Sequence, residues 1–280
     1  MYDVSGHPCF SDCLQGAARL HLPVAPHCNI GCRYCLRRFD CVNESRPGVC
    51  SRVLSPGEAV QRFKWARDRM PHLAVVGIAG PGDALANFPA VQETLAAIRR
   101  MDGTIRFCLS TNGLRLAEFL PELQALTVDY LTVTVNAVTA ATGTRLYSYV
   151  EKGAARLFGE AAFRYLRTQQ RRGIREAVQR GICCKINTVV VPGVNEQETW
   201  RIAKEAAAMG CYLHNLLPLF PAVGTEFADY PALSPAALRT LRQECARYLR
   251  QMRHCQRCRA DAAGTLGEDI FAVEGAANSL

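Results

Sequence analysis

The chain has 280 residues, of which 49% are apolar, and a formal net charge of +8. That is enough length and apolar content for one large α/β domain or two small ones with a proper core, and it excludes a disordered chain. Only four of the 33 basic residues are lysine and no basic run interleaves with aromatics, so no nucleic-acid surface is expected.

The N-terminus, MYDVSGHPCF, lacks the basic stretch and apolar run of a signal peptide. The most apolar segment, LAVVGIAG, is cut short by Pro81 and Asp83, so no membrane span is expected. These features predict a cytoplasmic protein. Thiols stay reduced there, so 14 cysteines point to metal or redox chemistry rather than to a disulfide framework.

Six apolar, β-rich runs follow in chain order: RLHLPVAP, LAVVGIAG, TIRFCLS, YLTVTVNAV, CCKINTVVV and YLHNLLPLF. Each is separated from the next by enough chain for a crossover helix. Ser55, Pro56 and Glu58 read as a capping-box start to a helix carrying Val60 and Phe63. Asn195 and Glu198 read as the start of another carrying Ile202 and Ala206. Ser234 and Pro235 open a third, with apolar positions Leu238, Leu241, Cys245, Tyr248 and Met252 at helical spacing. Alternating strands and helices imply a parallel sheet, and six such units suit a partial (β/α)6 TIM-like barrel better than a closed eightfold one. The expected organisation is an N-terminal extension over 1–18, the barrel over 19–252 and a C-terminal extension over 253–280.

Functional groups collect on loops leaving the C-terminal ends of such strands. HCNIGCRYC leaves the first strand and places Cys28, Cys32 and Cys35 at spacings of four and three. Three thiolates on so short a loop can each bind one iron of a 4Fe-4S cube and leave the fourth iron open to an outside ligand. A structural zinc site wants four closed ligands, usually as two separated pairs, and matches this spacing poorly. AGPGD (79–83) leaves the second strand, STNG (110–113) the third and VPGVN (191–195) the fifth. Singly these are ordinary turns; at successive strand ends of one barrel they suggest a shared ligand.

The C-x3-C-x2-C stretch, with Tyr34 before its last cysteine, resembles the signature of radical SAM enzymes. The resemblance implies a 4Fe-4S cluster whose open iron binds the amino and carboxylate groups of S-adenosylmethionine. An electron from the cluster then cleaves the sulfonium to a 5'-deoxyadenosyl radical. It further implies that Gly80, Pro81, Gly82 and Asp83 receive the methionyl amino group. Ser110, Thr111 and Asn112 would meet ribose or carboxylate oxygens. Backbone at Val191 and Pro192 would pair with adenine, and Asn136 would add a polar contact.

The remaining cysteines include Cys9 in HPCF, Cys41, Cys108 in the third strand, and Cys255 and Cys258 in HCQRCRAD. A CxxC pair alone suits zinc, redox or structural use. Taken with LPVAPHCNIGCRYC, CVNESRPG, VVGIAGPGD, CLSTNG, TVTVNAV, LHNLLPL and RHCQRCRADAAGTLGED, these segments resemble the nitrogenase cofactor maturase family NifB from residue 7 to residue 269. That resemblance implies an enzyme that fuses two further 4Fe-4S clusters, its substrates, into an eight-iron precursor of the nitrogenase cofactor. A carbide derived from an S-adenosylmethionine methyl group and an added sulfide would complete the product. His7, Cys9, Cys41, Cys108, Cys255 and Cys258 would hold the two substrate clusters; spacing does not divide the six between them. Glu44 and Arg46, in the family's E-x-R-x-G element, would flank the chemistry, with Glu44 accepting a proton from the transferred methyl group. Implied partners are iron-sulfur cluster donor proteins, a reductant such as ferredoxin or flavodoxin, and a carrier or scaffold protein that accepts the product, since the chain ends too soon for the extra domain of some relatives. Cys13, Cys50, Cys183, Cys184, Cys211 and Cys245 are expected to be structural. Two alternatives stand beside this: another radical SAM maturase with auxiliary clusters, and a non-catalytic iron-sulfur carrier, which would have no use for the AGPGD and STNG loops.

Overall fold

All six apolar runs become strands of one sheet in the computed structural model, which describes residues 2–11, 16–36, 40–45 and 52–270. In chain order the strands are β1 (Ala18–His21), β2 (Ile30–Cys32), β3 (Leu73–Ile78), β4 (Arg106–Thr111) and β5 (Val128–Thr134). There follow β6 (Tyr147–Lys152), β7 (Ala155–Leu157), β8 (Cys183–Val190), β9 (Leu213–Pro218) and β10 (Ala263–Gly264). The helices are α1 (Pro56–Arg69), α2 (Phe88–Met101), α3 (Leu116–Ala125), α4 (Ala140–Leu146), α5 (Gly159–Gln179), α6 (Thr199–Ala208) and α7 (Pro235–Ala246).

The large sheet has the order β10-β1-β3-β4-β5-β8-β9. Every neighbouring pair from β1 to β9 is parallel, and β10 alone is antiparallel, against β1. The six parallel strands thus follow one another in sequence order, and the sheet curls into the expected partial barrel. Side chains alternate across each strand, so one set faces the helices and the other the barrel interior. On the helix side, Leu109, Leu131 and Ile186 pack with Leu95, Ile98 and Leu120 in one continuous apolar core. Among the described residues no helix is long and apolar enough to cross a membrane.

One helix boundary differs from expectation, and another is reached by different bonds. The Ser55–Glu58 capping box forms, with both reciprocal bonds present. Asn195 and Glu198 open the expected helix, through a short 3-10 turn into α6, without a capping box: Asn195 turns inward, accepting from Val191 N–H and donating to the carbonyls of Asn136 and Val189. Glu198 reaches across to the Val138 N–H and the Thr142 hydroxyl, clamping the loop after β5. The α7 helix ends at Ala246, with only Cys245 buried along it, and Tyr248 lies 40% exposed. Helical spacing runs on to Met252, but the chain leaves the helix to lie beside β9: His214 N–H bonds to Arg250 and Met252 N–H to His214. Backbone bonds to a sheet edge have overridden the local helical pattern.

A second sheet, β2-β6-β7, has no counterpart in the apolar pattern. It is antiparallel and takes Ile30, Gly31 and Cys32 of the cysteine motif as its first strand, pairing Gly31 with Tyr149 and Cys32 with Tyr147.

Candidate active site and cluster cavities

The cysteine loop is fixed at both ends. Before Cys28, the AGPGD turn presses against the backbone: Gly82 N–H donates to Ala25 at 2.5 Å and Asp83 N–H to His27 at 2.8 Å. A Cβ on Gly82 would stand 2.1 Å from the His27 carbonyl oxygen, so the approach requires glycine. Gly80 and Pro81 carry the turn there, with Pro81 bridged to Ala25. Asn87 closes the corner by donating to the carbonyls of His27 and Asp83. After Cys28, the β2–β6 pairing holds Gly31 and Cys32.

Asp83 links two strand-end loops. Its carboxylate accepts from the N–H groups of Leu85, Ala86 and Asn112 and from the Thr111 hydroxyl, at 2.6 to 3.2 Å. Burial raises its pKa, and these donors counter that by favouring the ionised form. Asn112 donates to Asn29 Oδ1 at 2.7 Å and points its amide at Cys28 Sγ, 3.8 Å away. On the other side, Asn43 sends its amide toward Cys41 Sγ (3.5 Å) and Cys32 Sγ (3.9 Å), while its carbonyl accepts from Tyr34 and Asn136.

An upper cavity of about 380 Å³ results at the C-terminal strand ends, lined by Cys28, Cys32, Cys35 and Cys41 together with Gly82, Asp83, Ser110, Thr111 and Asn112. These cysteines are free thiols. Burial pushes the Cys32 thiol far up, and the like charges of Cys35 and Cys28 push it further, so its thiolate wants a cation between the three. That donor set fits a 4Fe-4S cluster at Cys28, Cys32 and Cys35, next to a polar shelf suited to S-adenosylmethionine.

Not every residue expected to touch that ligand is free to do so. Asn136 is buried with both ends of its amide engaged, donating to Tyr34 and Asn43 and accepting from Val189 N–H. Val191 spends its N–H on the Asn195 side chain and its carbonyl on the N–H groups of Val194 and Asn195. The Val191 backbone expected to be free is instead satisfied within the turn; Pro192 is half-buried. Arg46 lies outside the described residues, as do Cys13 and Cys50.

A lower cavity of about 680 Å³ occupies the barrel interior. Its walls are alternate residues of the strands: Cys108 and Ser110 on β4, Thr132 on β5, Lys185 and Asn187 on β8, Asn215 on β9. The N-terminal segment contributes His7 and Cys9, and the C-terminal segment Cys255 and Cys258. Five of the six proposed substrate-cluster ligands therefore share one space, whereas Cys41 lies with the upper thiols. Glu44 and Ser110 line both cavities.

Glu44 is held by the Thr134 hydroxyl at 2.8 Å and the Asn187 amide at 3.0 Å. Burial raises its pKa from 4.5 to about 7, and the bonds to Thr134 and Ser110 and the charge of Lys185 limit the rise. A carboxylate so poised can take or give a proton near neutrality.

Two histidines line the lower cavity in opposite states. His7 Nδ1 accepts from Cys9 N–H at 3.0 Å, which puts the ring hydrogen on Nε2, a buried atom with no partner among the described residues. His21 has its Nδ1 3.0 Å from the Arg259 carbonyl, so Nδ1 carries the hydrogen and Nε2 keeps its lone pair. Burial lowers the pKa of both, that of His21 to about 4, so both rings are neutral. His21, Lys185, Asn187 and Asn215 were missed from the sequence. The available signal was their polarity at alternate positions of parallel strands that ought to be apolar throughout.

The sequence profile of the Radical SAM superfamily matches residues 22–206. FeMo cofactor biosynthesis protein NifB of Bradyrhizobium diazoefficiens is 42% identical over 95% of this chain and 54% of its own length. The NifB of Chlorobaculum tepidum is 39% identical over 95% of this chain and 63% of its own. The chain thus spans between half and two thirds of these curated relatives. Among solved structures, Streptococcus suis SuiB bound to S-adenosylmethionine superposes with a TM-score of 0.57, covering 83% of this chain and 49% of that one at 13% identity, which is a likeness of fold. With the matched segment holding the three-cysteine loop and four of the six parallel strands, the chain belongs to the radical SAM superfamily.

Proposed function

We propose that this chain is a cytoplasmic nitrogenase cofactor maturase that joins two 4Fe-4S substrate clusters around a carbide, with an added sulfide, to make the eight-iron cofactor precursor. The observation that carries the reading is Glu44, which lines both the thiol-rich upper cavity and the interior cavity bearing His7, Cys9, Cys108, Cys255 and Cys258. Similarity to NifB proteins over 95% of the chain supports the same assignment.

When bound at Cys28, Cys32 and Cys35, the resident cluster supplies the electron that cleaves S-adenosylmethionine. The chain's own residues do the rest of the positioning. Gly82, Asp83, Ser110, Thr111 and Asn112 orient the cosubstrate toward the interior. Cys9, Cys108, Cys255 and Cys258 hold substrate clusters by incomplete sets of ligands, which suits clusters that must be joined and released. His21, with its lone pair on Nε2, joins His7 as a nitrogen ligand candidate and is the better prepared of the two. Glu44 accepts a proton from the methyl group on the substrate cluster. Arg46 completes the E-x-R-x-G element. Cluster donor proteins, a ferredoxin- or flavodoxin-type reductant and a product carrier are the partners this activity requires.

Replacing Cys255 and Cys258 by Ala tests the reading. The variant should still cleave S-adenosylmethionine to 5'-deoxyadenosine but should not activate cofactor-deficient nitrogenase. Activation at the wild-type yield would refute it.

A further inference from the structure

Lys185 stands on β8 between Cys184 and Ile186, both fully buried against the helices, so its own side chain points into the barrel. It is only 6% exposed and lines the interior cavity. Among the described residues, its Nζ has no hydrogen bond or ion pair; the Phe10 ring lies 5.1 Å away. A buried ammonium ion without a counter-ion is costly, and natural chains seldom keep one without a purpose.

The groups that face it come from every side of the cavity. Cys9 and His7 approach from the N-terminal segment, Cys108 from β4, Cys255 from the C-terminal segment, His21 from β1 and Glu44 from the cysteine loop. Glu44 is the only carboxylate among them, and it is already held by Thr134 and Asn187. The missing anion must arrive with a ligand. A 4Fe-4S substrate bound through thiolates brings one: its sulfides and thiolate sulfurs are hydrogen-bond acceptors, and the assembly carries net negative charge.

We propose that Lys185, beside Arg19 and Arg257 in the same cavity wall, is a fixed positive anchor of the substrate cavity, donating from Nζ to the sulfur atoms of an anionic iron-sulfur substrate held among Cys9, Cys108 and Cys255. This rests on the preceding reading of the interior cavity as the substrate-cluster site. Lys185 is a positioning residue: it binds no iron, and it sets how tightly the cluster is held and how easily it is reduced. Positive charge beside a cluster favours its reduced form, so the same residue raises the cluster's potential.

The test compares wild type, Lys185→Met and Lys185→Arg after anaerobic reconstitution with iron and sulfide. Iron per chain is counted after challenge with a chelator, and cluster potentials are followed by electron paramagnetic resonance. Lys185→Met should lose interior iron at about tenfold lower chelator concentration, as expected for one charge-assisted hydrogen bond. Its interior cluster should become harder to reduce. Lys185→Arg, which keeps the charge, should recover both properties at least in part. Unchanged retention and potential in Lys185→Met, or no recovery of either in Lys185→Arg, would overturn the proposal and make Lys185 idle or structural. If wild type itself holds only about four irons, the reading of the cavity fails instead.

Discussion

Glu44 joins the two cavities, and its environment gives its titration a definite sign. Burial raises its pKa from 4.5 to about 7. Folding therefore favours the protonated carboxyl, and the stability it contributes is complete below pH 4.5 and lost as pH rises through about 7. Chemical denaturation of the cluster-free protein should show that decline between pH 5 and 8, and Glu44→Gln should remove it. The catalytic sign is opposite, since the proton-accepting form appears as pH rises through the same range. Carbon insertion should increase across neutrality in wild type and be low and flat in Glu44→Gln, with 5'-deoxyadenosine formation from S-adenosylmethionine largely kept. For Cys32→Ala the expectation is reversed: 5'-deoxyadenosine formation is lost, while most iron remains on the untouched interior ligands. At this scale Cys28, Cys32 and Cys35 stand out by their spacing, whereas the other candidate ligands came only with the family resemblance. Lys185 and His21 do not stand out, because a single polar residue in an apolar run gains meaning only when the sheet shows which way it points.

Among the elements, the AGPGD turn has the least freedom. Gly82→Ala would drive a Cβ into the His27 carbonyl oxygen, where the nearest distance would be 2.1 Å. The turn or the cysteine loop must then move, at a cost of roughly 1–3 kcal/mol. Equilibrium binding should show weakened affinity for S-adenosylmethionine, because Cys28 follows His27 directly; unchanged binding would mean the loop's position is unimportant. The six parallel strands could be read from the sequence because each is a continuous β-rich run, buried on both faces or lined by the cavity. The small β2-β6-β7 sheet could not: its strands are three to six residues long, partly exposed, and joined across more than a hundred residues between Gly31 and Tyr149. Asn195 and Glu198 do open a helix, but by other means than their spacing implies. Their spacing imitates a capping box, yet both side chains serve tertiary bonds to the loop after β5.

At the scale of the whole molecule, the two ends of the chain converge on the barrel. His254 Nε2 lies 3.1 Å from the Pro8 carbonyl, β10 pairs with β1, and Arg19 on β1 donates to Cys258 Sγ at 3.1 Å. HPCF and HCQRCRAD are therefore neighbours in space although 240 and more residues separate them, a fact that local patterns do not contain. Under the proposed function, their convergence makes the interior a second, substrate-cluster site distinct from the thiols above it. That assignment is tested most directly by counting iron and acid-labile sulfide in the anaerobically reconstituted wild-type protein. Three clusters require about twelve irons per chain with matching sulfide. About four irons, or stoichiometric zinc in their place, would contradict the account.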